Sequence, residues 1–386
     1  MKLVVDRMGQ DTEFFLWDKE KEQVIPAHQH FQAKSEASLL AATKESDKYS
    51  DPPRNAQQVS LKTRYRVYQS CSDRAPLVFR DGLAVEINTQ PTSCRGYYWN
   101  NLRHALWLAD STLPEGICWT TRPWVEVLPE MLKDAPEDVL ELGCMPTLDA
   151  YTERKKSLGE IDPLKLPFRT SGAHLHMSFK TESIWLERYK DGPIPQELWA
   201  PFIKAADLLL GVPFTYVFGD ELEFKRRKLY GQAGEFRYQQ YSPQVDGLEY
   251  RVLSSRLYDH PGTGSLFLGI WKFVIGNHAA RSLVESSWDK AWEDDICEAI
   301  NTGNEKALEK ALNLSAEMME KIHAHLVYPG ELASVTTSNA VDTWKILREA
   351  RKRGAMRDMG ILDPGLPEGH RGWGFWRDSL SRAGTL

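Results

Sequence analysis

Residues 171–179 read SGAHLHMSF, and further along the chain residues 247–255 read GLEYRVLSS. In both stretches polar and apolar residues alternate, and this period of two predicts β-strands with one polar face each. The polar faces carry His174, His176, Ser178, Glu249 and Arg251. These imidazole, carboxylate and guanidinium groups are the starting point for predicting both the fold and the chemistry.

Three other stretches alternate in the same way: QDTEFFLW with Asp11 and Glu13, GLAVEINTQP with Glu86 and Asn88, and GEFRYQQY with Glu235 and Arg237. Any antiparallel strand with one solvated face shows this pattern, so a single run indicates only a surface strand. The paired positions of the five runs, however, carry carboxylates, imidazoles and arginines, and no lysine. Five such runs together predict one shared functional face.

A shared face would bring four carboxylates together: Asp11, Glu13, Glu86 and Glu249. Their mutual repulsion would raise their pKa values, and divalent cations would relieve it. Carboxylate-rich sites suit Mg²⁺ or Mn²⁺, which proteins commonly share with substrate phosphates. Four arginines lie on or just before the same strands: Arg226, Arg227, Arg237 and Arg251. Arginines of this kind bind phosphate or carboxylate oxygens, so the residue set indicates phosphoryl chemistry.

Several common nucleotide and nucleophile motifs are missing from the sequence. It contains no GxxxxGK(S/T) and no GxSxG, and no GxGxxG follows a predicted strand. A P-loop, a Rossmann dinucleotide site and an α/β-hydrolase are therefore disfavoured. A bound nucleotide would have to lie against the sheet face.

Composition narrows the setting in which the protein works. The 48 basic and 54 acidic residues give a net charge of −6, which argues against broad binding to nucleic acid. The five cysteines show no CxxC spacing, so neither a zinc knuckle nor a disulfide framework is expected. The N-terminus turns charged too early for a secretory signal, and the apolar stretch 265–280 is interrupted and too short to span a bilayer. We expect a reduced cytoplasmic protein with no membrane partner.

Apolar spacing predicts helices in the second half of the chain, at Pro195–Leu210, Leu266–Glu285, Asn304–Leu326 and Val341–Gly354. The first of these is predicted to stop at Gly211 and Pro213. Irregular insertions are expected at about 34–80 and 153–167, and an irregular tail at the C-terminus. The predicted domains are a catalytic unit over 1–275 and a helical extension with its tail over 276–386.

The ordered motifs resemble the carboxylate–amine ligase superfamily that includes glutamine synthetase and glutamate–cysteine ligase. Within it they are most similar to the phage-encoded COOH–NH2 ligases of type 2. The resemblance rests on DTEFFLWD, DGLAVEINTQP, LGCMPTLDAY, SGAHLHMSF, RRKLYGQAGEFR and GLEYRVLSS, which together span residues 9–255. It implies an α+β fold, with a curved, mostly antiparallel glutamine-synthetase-like sheet that carries helices on its convex face and metal ions on its concave face.

The resemblance also implies an activity. ATP would phosphorylate a substrate carboxylate, and an amine would then displace phosphate to form an amide. The substrates would be a carboxylate and an amine, either small molecules or peptides, and a homo-oligomer is compatible with this family. If the chain is phage-encoded, its place would be the host cytoplasm.

Roles for individual residues follow from the positions of the motifs. The implied metal ligands are Asp11, Glu13, Glu86, His174 and Glu249, with Asp11 and Glu13 on different ions. The implied nucleotide-binding residues are His176, Ser178, Arg226, Arg227 and Arg251. The implied catalytic residues are Arg237, Glu249 and Arg251. Met145 stands where an acidic ligand is expected, so Asp149 or Glu141 would have to replace it, or one ion would be held less tightly.

Three other functions are open at this stage. A metal-dependent hydrolase would also use an HxH motif, although the amidohydrolase barrel places that motif on an early strand and not near residue 174. A guanidino-kinase-like phosphotransferase would share the sheet and the arginines. A binding protein without turnover would retain the fold alone. The sequence names neither the acid nor the amine.

Overall fold

The protein is described here from a computed structural model. The described residues are 4–33, 77–89, 91–96, 98–99, 102, 105–106, 109, 113–140, 147–152, 155–156, 166–180, 196–242, 245–259, 261–326 and 331–353. Met145, Glu141 and the tail after residue 353 lie outside these ranges, as does most of the predicted insertion at 34–80.

The β-structure comprises twelve strands within the described residues: β1 Val4–Asp18, β2 Gln23–Ile25, β3 Leu77–Asp81, β4 Ala84–Asn88, β5 Ile117–Thr120, β6 Trp124–Glu126, β7 Thr147–Asp149, β8 Lys155–Lys156, β9 Phe168–Thr170, β10 Ala173–Lys180, β11 Glu235–Ser242 and β12 Val245–Tyr250. Ten of them form one sheet in the order β3-β4-β1-β10-β12-β11-β7-β8, with β2 and β5 also paired to β1. The pairings between these strands are antiparallel. The predicted α+β class with a mostly antiparallel sheet is confirmed.

The five strands predicted to carry the functional pairs are neighbours in this sheet. They follow one another as β4, β1, β10, β12 and β11. The alternation read from the sequence therefore corresponds to one continuous surface, because facing residues of paired strands point to the same side. The strand β3 covers 77–81, so the predicted irregular insertion ends earlier than residue 80. Within the other predicted insertion, β8 forms at 155–156.

The opposite face of the sheet is packed against helices. The side chains of Leu175, Met177 and Leu248 on this face are fully buried. Next to them, the Phe179 ring lies 5.2 Å from the ring of Trp199. Burying side chains of this size stabilises the folded state by roughly 1.5–3 kcal/mol each. This packing leaves the polar face as the only place where the five runs can present their charged groups.

The described helices are α1 Pro129–Leu132, α2 Glu137–Leu140, α3 Gln196–Ala206, α4 Val212–Phe218, α5 Glu221–Arg227, α6 Pro261–Ile270, α7 His278–Ser287, α8 Trp292–Thr302, α9 Glu305–His325 and α10 Glu331–Lys352. Short 3-10 segments form at Ala27–Gln29 and Ser255–Tyr258, and π-helical segments at Asp207–Gly211 and Trp271–Ile275. The helix predicted at Asn304–Leu326 is confirmed as α9, whose start is capped by the Asn304 side chain.

The predicted helix stop at Gly211 and Pro213 is wrong. The helix continues through the π-helical segment into α4 and ends at Phe218. Pro213 is the second residue of α4 and directly follows the π-helical segment. A Cβ on Gly211 would lie 2.7 Å from the Tyr250 hydroxyl, so glycine is needed here for close packing. Tertiary packing thus overrides both local signals for a stop.

Two other predicted helices have different bounds. The stretch Leu266–Glu285 divides into α6, a π-helical segment and α7, because Asn277 accepts a hydrogen bond from Ala280 N and starts a new helix. The last helix begins at Glu331, ten residues before the predicted start at Val341. Helix α8 was not predicted. The division into units 1–275 and 276–386 stays a prediction.

Within the described ranges, one helical stretch, Trp199–Phe218, is long and apolar enough to cross a membrane by length and composition alone. Its mean hydropathy is 1.3, and 89% of the tested window is buried inside the protein. A core helix passes the same test. The stretch packs on the back of the sheet through Trp199, as described above.

Candidate functional site

Backbone register brings the predicted site residues together across five adjacent strands. The facing pairs are Glu13 with Glu86, Asp11 with His174, His176 with Glu249, and Arg237 with Glu249. Facing residues of an antiparallel pair have their Cα atoms about 4.5–5.5 Å apart. The carboxylates, imidazoles and guanidinium groups therefore share one surface, as the sequence predicts.

The carboxylate of Glu249 is fully buried and lies at the centre of this surface. Its Oε2 atom accepts hydrogen bonds from Arg237 Nε at 2.7 Å and from Gln239 Nε2 at 2.9 Å. Its Oε1 atom lies 3.2 Å from both Arg251 Nε and His174 Nδ1. Gln239 was not singled out in the sequence, since a glutamine on a strand carries no distinctive signal.

These neighbours keep Glu249 charged. Burial acts to raise the pKa of Glu249, but the charges of His176, Arg251 and Arg237 outweigh it and lower the pKa to about 2. A buried charge is tolerated only when it is paired in this way. The carboxylate is therefore ionised at neutral pH, which suits a ligand for a cation.

The two histidines of the HxH motif have different surroundings. Burial lowers the pKa of His174 well below its ordinary value, and the charge of Glu249 offsets this only in part. The Nε2 atom of His176 lies 3.1 Å from Asp11 Oδ2. Burial also acts to lower the pKa of His176, but Asp11 and Glu249 raise it above its ordinary value. His174 is thus a neutral ring, while His176 tends to carry a proton.

A second carboxylate group lies at one side of this surface. One oxygen atom from each of Glu13, Asp81 and Glu86 lies within 4.8 Å of the others. Glu13 Oε2 also accepts a hydrogen bond of 2.7 Å from Gly172 N. Burial, followed by the charge of Asp81, raises the pKa of Glu13 to about 8. Oxygen atoms under this mutual repulsion form a donor set that fits a hard divalent cation such as Mg²⁺ or Mn²⁺.

Asp81 was missing from the predicted ligands. It ends β3, two residues after Phe79, which faces Glu86 across the β3–β4 pair. Side chains two apart on a strand share a face, so Asp81 lies on the same side as Glu86. Asp81 is the first residue of the motif DGLAVEINTQP, so the sequence contained a signal for it. The predicted insertion at about 34–80, however, covers most of β3, the strand that ends at Asp81.

Arg226 and Arg227 lie elsewhere than predicted. Both side chains are fully buried at the end of α5, and both pair with Glu223 Oε1. Arg226 donates to the carbonyl oxygens of residues 251, 252 and 253 at 2.9–3.2 Å. Arg227 donates to Thr215 Oγ1 at 2.7 Å and to the Ile300 carbonyl. Arg226 thus holds the chain after β12 to α5, and Arg227 joins α5 to α4 and α8. This geometry does not support their predicted contact with nucleotide.

Two other predicted residues make local contacts. Ser178 Oγ accepts from Arg7 N at 3.2 Å and donates to Arg7 O at 3.3 Å, at a bulge in β1. Its contact with nucleotide stays a prediction. Asp149 Oδ1 accepts from the backbone N–H of Tyr151 and Thr152, and so stabilises a turn. Its role as the acidic ligand expected at the position of Met145 stays a prediction.

A glycine next to the site gives a test of Arg226 as a fixed support. Gly231 has a φ of +77°, and a Cβ there would lie 2.1 Å from Arg226 Nη1. Gly116 has a φ of +88° with no neighbour within 4 Å of its Cβ position. Gly116→Ala should lower the free energy of unfolding by roughly 1–2 kcal/mol, the cost of a side chain at positive φ. Gly231→Ala should lower it clearly more, because it also displaces Arg226. Urea unfolding measures both, and equal losses would contradict the fixed position of Arg226.

In protein stripped of metal with EDTA, the pKa values of the two histidines should be shifted in opposite directions from the ordinary value. The His176 ring should gain its proton above the ordinary pKa of 6.5, and the His174 ring only well below it. As the pH rises through the folded-state pKa of His176, its pair with Asp11 loses the stability that is present at lower pH. As the pH falls below 6.5, the buried neutral His174 makes the fold less stable. The imidazole NMR signals, assigned with His174→Gln and His176→Gln, report the pKa of each ring. A common titration midpoint for the two rings would contradict these environments.

Part of the chain is similar to a known protein family. Residues 194–352 match a family model described as phage phiEco32-like COOH.NH2 ligase-type 2. No curated protein matches the chain. Among solved structures, a crystal structure of a bifunctional glutathione synthetase from Pasteurella multocida matches with a TM-score of 0.44 and 12% identity. The alignment covers 98% of this chain and 52% of that one, so the chain spans about half the length of this relative.

The family match includes α5, β11 and β12, and with them Arg237, Glu249 and Arg251. It does not extend to β1, β4 or β10. Over residues 194–352 the chain is thus similar to the phage COOH–NH2 ligases of type 2, which confirms the family resemblance predicted from its motifs.

Proposed function

We propose that this chain is an ATP-dependent carboxylate–amine ligase that forms an amide or peptide-like bond through an acyl phosphate. The matched family description supports joining a carboxylate to an amine. The observation that carries the proposal is the convergence of carboxylates, imidazoles and arginines on the face formed by β4, β1, β10, β12 and β11. This surface has the groups needed to bind cations and phosphate side by side.

Two sets of residues would hold divalent ions. Glu13, Asp81 and Glu86 offer three carboxylate oxygens to one ion. His174 Nδ1 and Glu249 Oε1, 3.2 Å apart, would offer a nitrogen and an oxygen to another. Neighbouring ligand atoms on an octahedral ion with bonds of 2.0–2.1 Å are about 3 Å apart, so this separation fits. Bound Mg²⁺ or Mn²⁺ would supply charge neutralisation and contacts to the nucleotide phosphates.

Arg237 and Arg251 would stabilise the negative charge of the transferring phosphoryl group. Both contact Glu249, and they differ in exposure, with 25% of the Arg237 side chain and 3% of the Arg251 side chain accessible. Arg237 is thus accessible to incoming substrate, whereas Arg251 would act from the buried side of this surface. Fixed donors of this kind need no rearrangement when charge develops, which makes them effective. We keep His176 as a phosphate contact on the basis of its tendency to carry a proton.

The proposed reaction has two steps. A substrate carboxylate oxygen attacks the γ-phosphorus of ATP, and ADP leaves. The nitrogen of the amine then attacks the acyl carbon, inorganic phosphate leaves with the electrons of the broken C–O bond, and the nitrogen loses a proton. The chain's residues contribute by holding both substrates in line and by excluding water from the acyl phosphate. A cytoplasmic setting, the lack of nucleic acid and membrane partners, phage origin and a homo-oligomer stay predictions.

The arrangement of the histidines argues against the hydrolase alternative. An HxH hydrolase would direct both rings to one metal ion that activates water. Here His174 lies against Glu249 and His176 against Asp11. The kinase would transfer a phosphoryl group without forming an amide, and the binding protein would not turn over. The arrangement of the site does not separate these from the ligase, so an experiment has to do so.

Calorimetric titration with a non-hydrolysable ATP analogue, with and without Mg²⁺, tests the nucleotide site. Magnesium-dependent binding supports a ligase or a kinase and opposes a hydrolase. Release of ADP that requires both a carboxylate and an amine separates the ligase from the kinase. Screening acid–amine pairs by mass spectrometry identifies the product, and nucleotide binding without ADP release for any pair would leave a binding protein.

Removing one carboxylate charge at either ion site should abolish turnover. Glu13→Gln and Glu249→Gln each replace an oxygen ligand by an amide that binds a divalent cation weakly. Glu320→Gln is the matched control, because Glu320 is 53% exposed and pairs only with surface Lys345 among the contacts described for it. ADP release is the measurement, and circular dichroism verifies the fold. Wild-type rates in either site variant would refute the assignment of these ligands.

Replacing the buried arginine should also impair catalysis. Arg251→Lys keeps the charge but loses the planar two-point grip, so we expect kcat/KM to fall about 100-fold. Arg351→Lys is the control, since Arg351 donates to the Tyr216 carbonyl at 3.0 Å on the helical side. Unchanged kcat/KM in Arg251→Lys would remove this residue from the mechanism.

A further inference from the structure

Tyr230 contacts the site residues but was not singled out in the sequence. It lies just after α5, at the turn that leads to β11, and its side chain is buried. Its hydroxyl is 2.8 Å from His174 Nε2, and the two rings meet edge to face with their centroids 5.7 Å apart. One ring nitrogen of His174 is therefore occupied by Tyr230.

The Tyr230 ring is held in place by two guanidinium groups. Arg251 lies 4.7 Å and Arg226 5.3 Å from its centroid. Arg226 is itself fixed by three backbone carbonyls, as described above. Cation–π contacts in a desolvated setting are worth about 2 kcal/mol, so the ring has little freedom to turn. The position of the hydroxyl is thus set by the surrounding structure and not by His174 alone.

The other nitrogen of His174 faces Glu249. Nδ1 lies 3.2 Å from Oε1, but no N–H of His174 is aligned to donate there. Among the residues that the structure describes, none donates a hydrogen bond to this buried oxygen. A neutral imidazole carries its proton on one nitrogen and a lone pair on the other. The contacts favour the proton on Nε2, next to Tyr230.

We infer that Tyr230 is a positioning residue, which accepts the Nε2–H of His174 and so directs the Nδ1 lone pair toward the space shared with Glu249 Oε1. This inference rests on the proposed function, in which His174 and Glu249 bind a divalent ion. Metal-ligating histidines almost always donate their second N–H to an oxygen, which fixes the tautomer and the orientation of the ring. Tyr230 supplies that oxygen here.

The opposite proton placement makes a different prediction. If the Tyr230 hydroxyl donated to Nε2, then Nδ1 would carry the proton, point it at Glu249 and be unable to bind a metal. The ¹⁵N shifts of the His174 ring distinguish the two in metal-free wild-type protein at neutral pH. We expect a protonated Nε2 and an unprotonated Nδ1, and a protonated Nδ1 would overturn the inference. This measurement is made on wild-type protein, so its outcome does not depend on whether a variant folds.

Metal affinity gives a second measurement. Tyr230→Phe removes the hydroxyl but keeps the ring against Arg251, so Mn²⁺ without nucleotide should bind about 10- to 100-fold more weakly at the His174–Glu249 site. Tyr216→Phe is a close control, because its hydroxyl bonds to Leu347 O and Arg351 lies 4.7 Å from its ring centroid. Electron paramagnetic resonance of Mn²⁺ reports both, and equal affinities in Tyr230→Phe and Tyr216→Phe would overturn the inference. If wild-type protein bound no Mn²⁺, the proposed function would fail, while the ¹⁵N shifts would still decide the role of Tyr230.

Discussion

The buried carboxylate of Glu249 is the constraint around which the site is arranged. A lone charge in this position would oppose folding by several kcal/mol, so its neighbours must compensate. Arg237 and Gln239 come from β11, His174 from β10, and Arg251 directly follows β12, the strand that carries Glu249. Three strands therefore have to be in correct register before the charge is balanced. A shift of one residue in any of them would turn its polar partners to the apolar side.

Helix α5 and the strands after it separate four arginines into two pairs with different functions. Arg226 and Arg227 point into the protein, where carbonyl oxygens and Glu223 pair with them. Arg237 and Arg251 meet the polar face. Arg226 fixes the backbone that carries Arg251, and the Tyr230 ring contacts both of these guanidinium groups. Rigid support of this kind keeps catalytic groups in a productive geometry.

The sequence predicted what depends on local periodicity. The alternation of polar and apolar residues identifies strands β1, β4, β10, β11 and β12. The carboxylates, imidazoles and arginines at their paired positions indicated that these strands are neighbours. The sequence did not distinguish the buried Arg226 from the partly exposed Arg237, since the charge of a residue does not reveal whether its side chain is buried. Asp81 and Tyr230 were missed because their roles depend on contacts between distant segments. At Gly211 and Pro213 the local rules predicted a helix end, but packing against Tyr250 decided otherwise.

The position of β1 in the sheet affects how the chain is made. Its partner β10 pairs with it across long sequence separations, such as the 171 positions between Arg7 and Ser178. At synthesis rates of 5–20 residues per second, β1 would wait roughly 9–34 s on the ribosome for that partner. During this interval one edge of β1 is exposed and able to associate with other nascent chains. Folding should therefore be slow and prone to aggregation, because the entropy of closing so long a loop is lost before the pairing stabilises the fold.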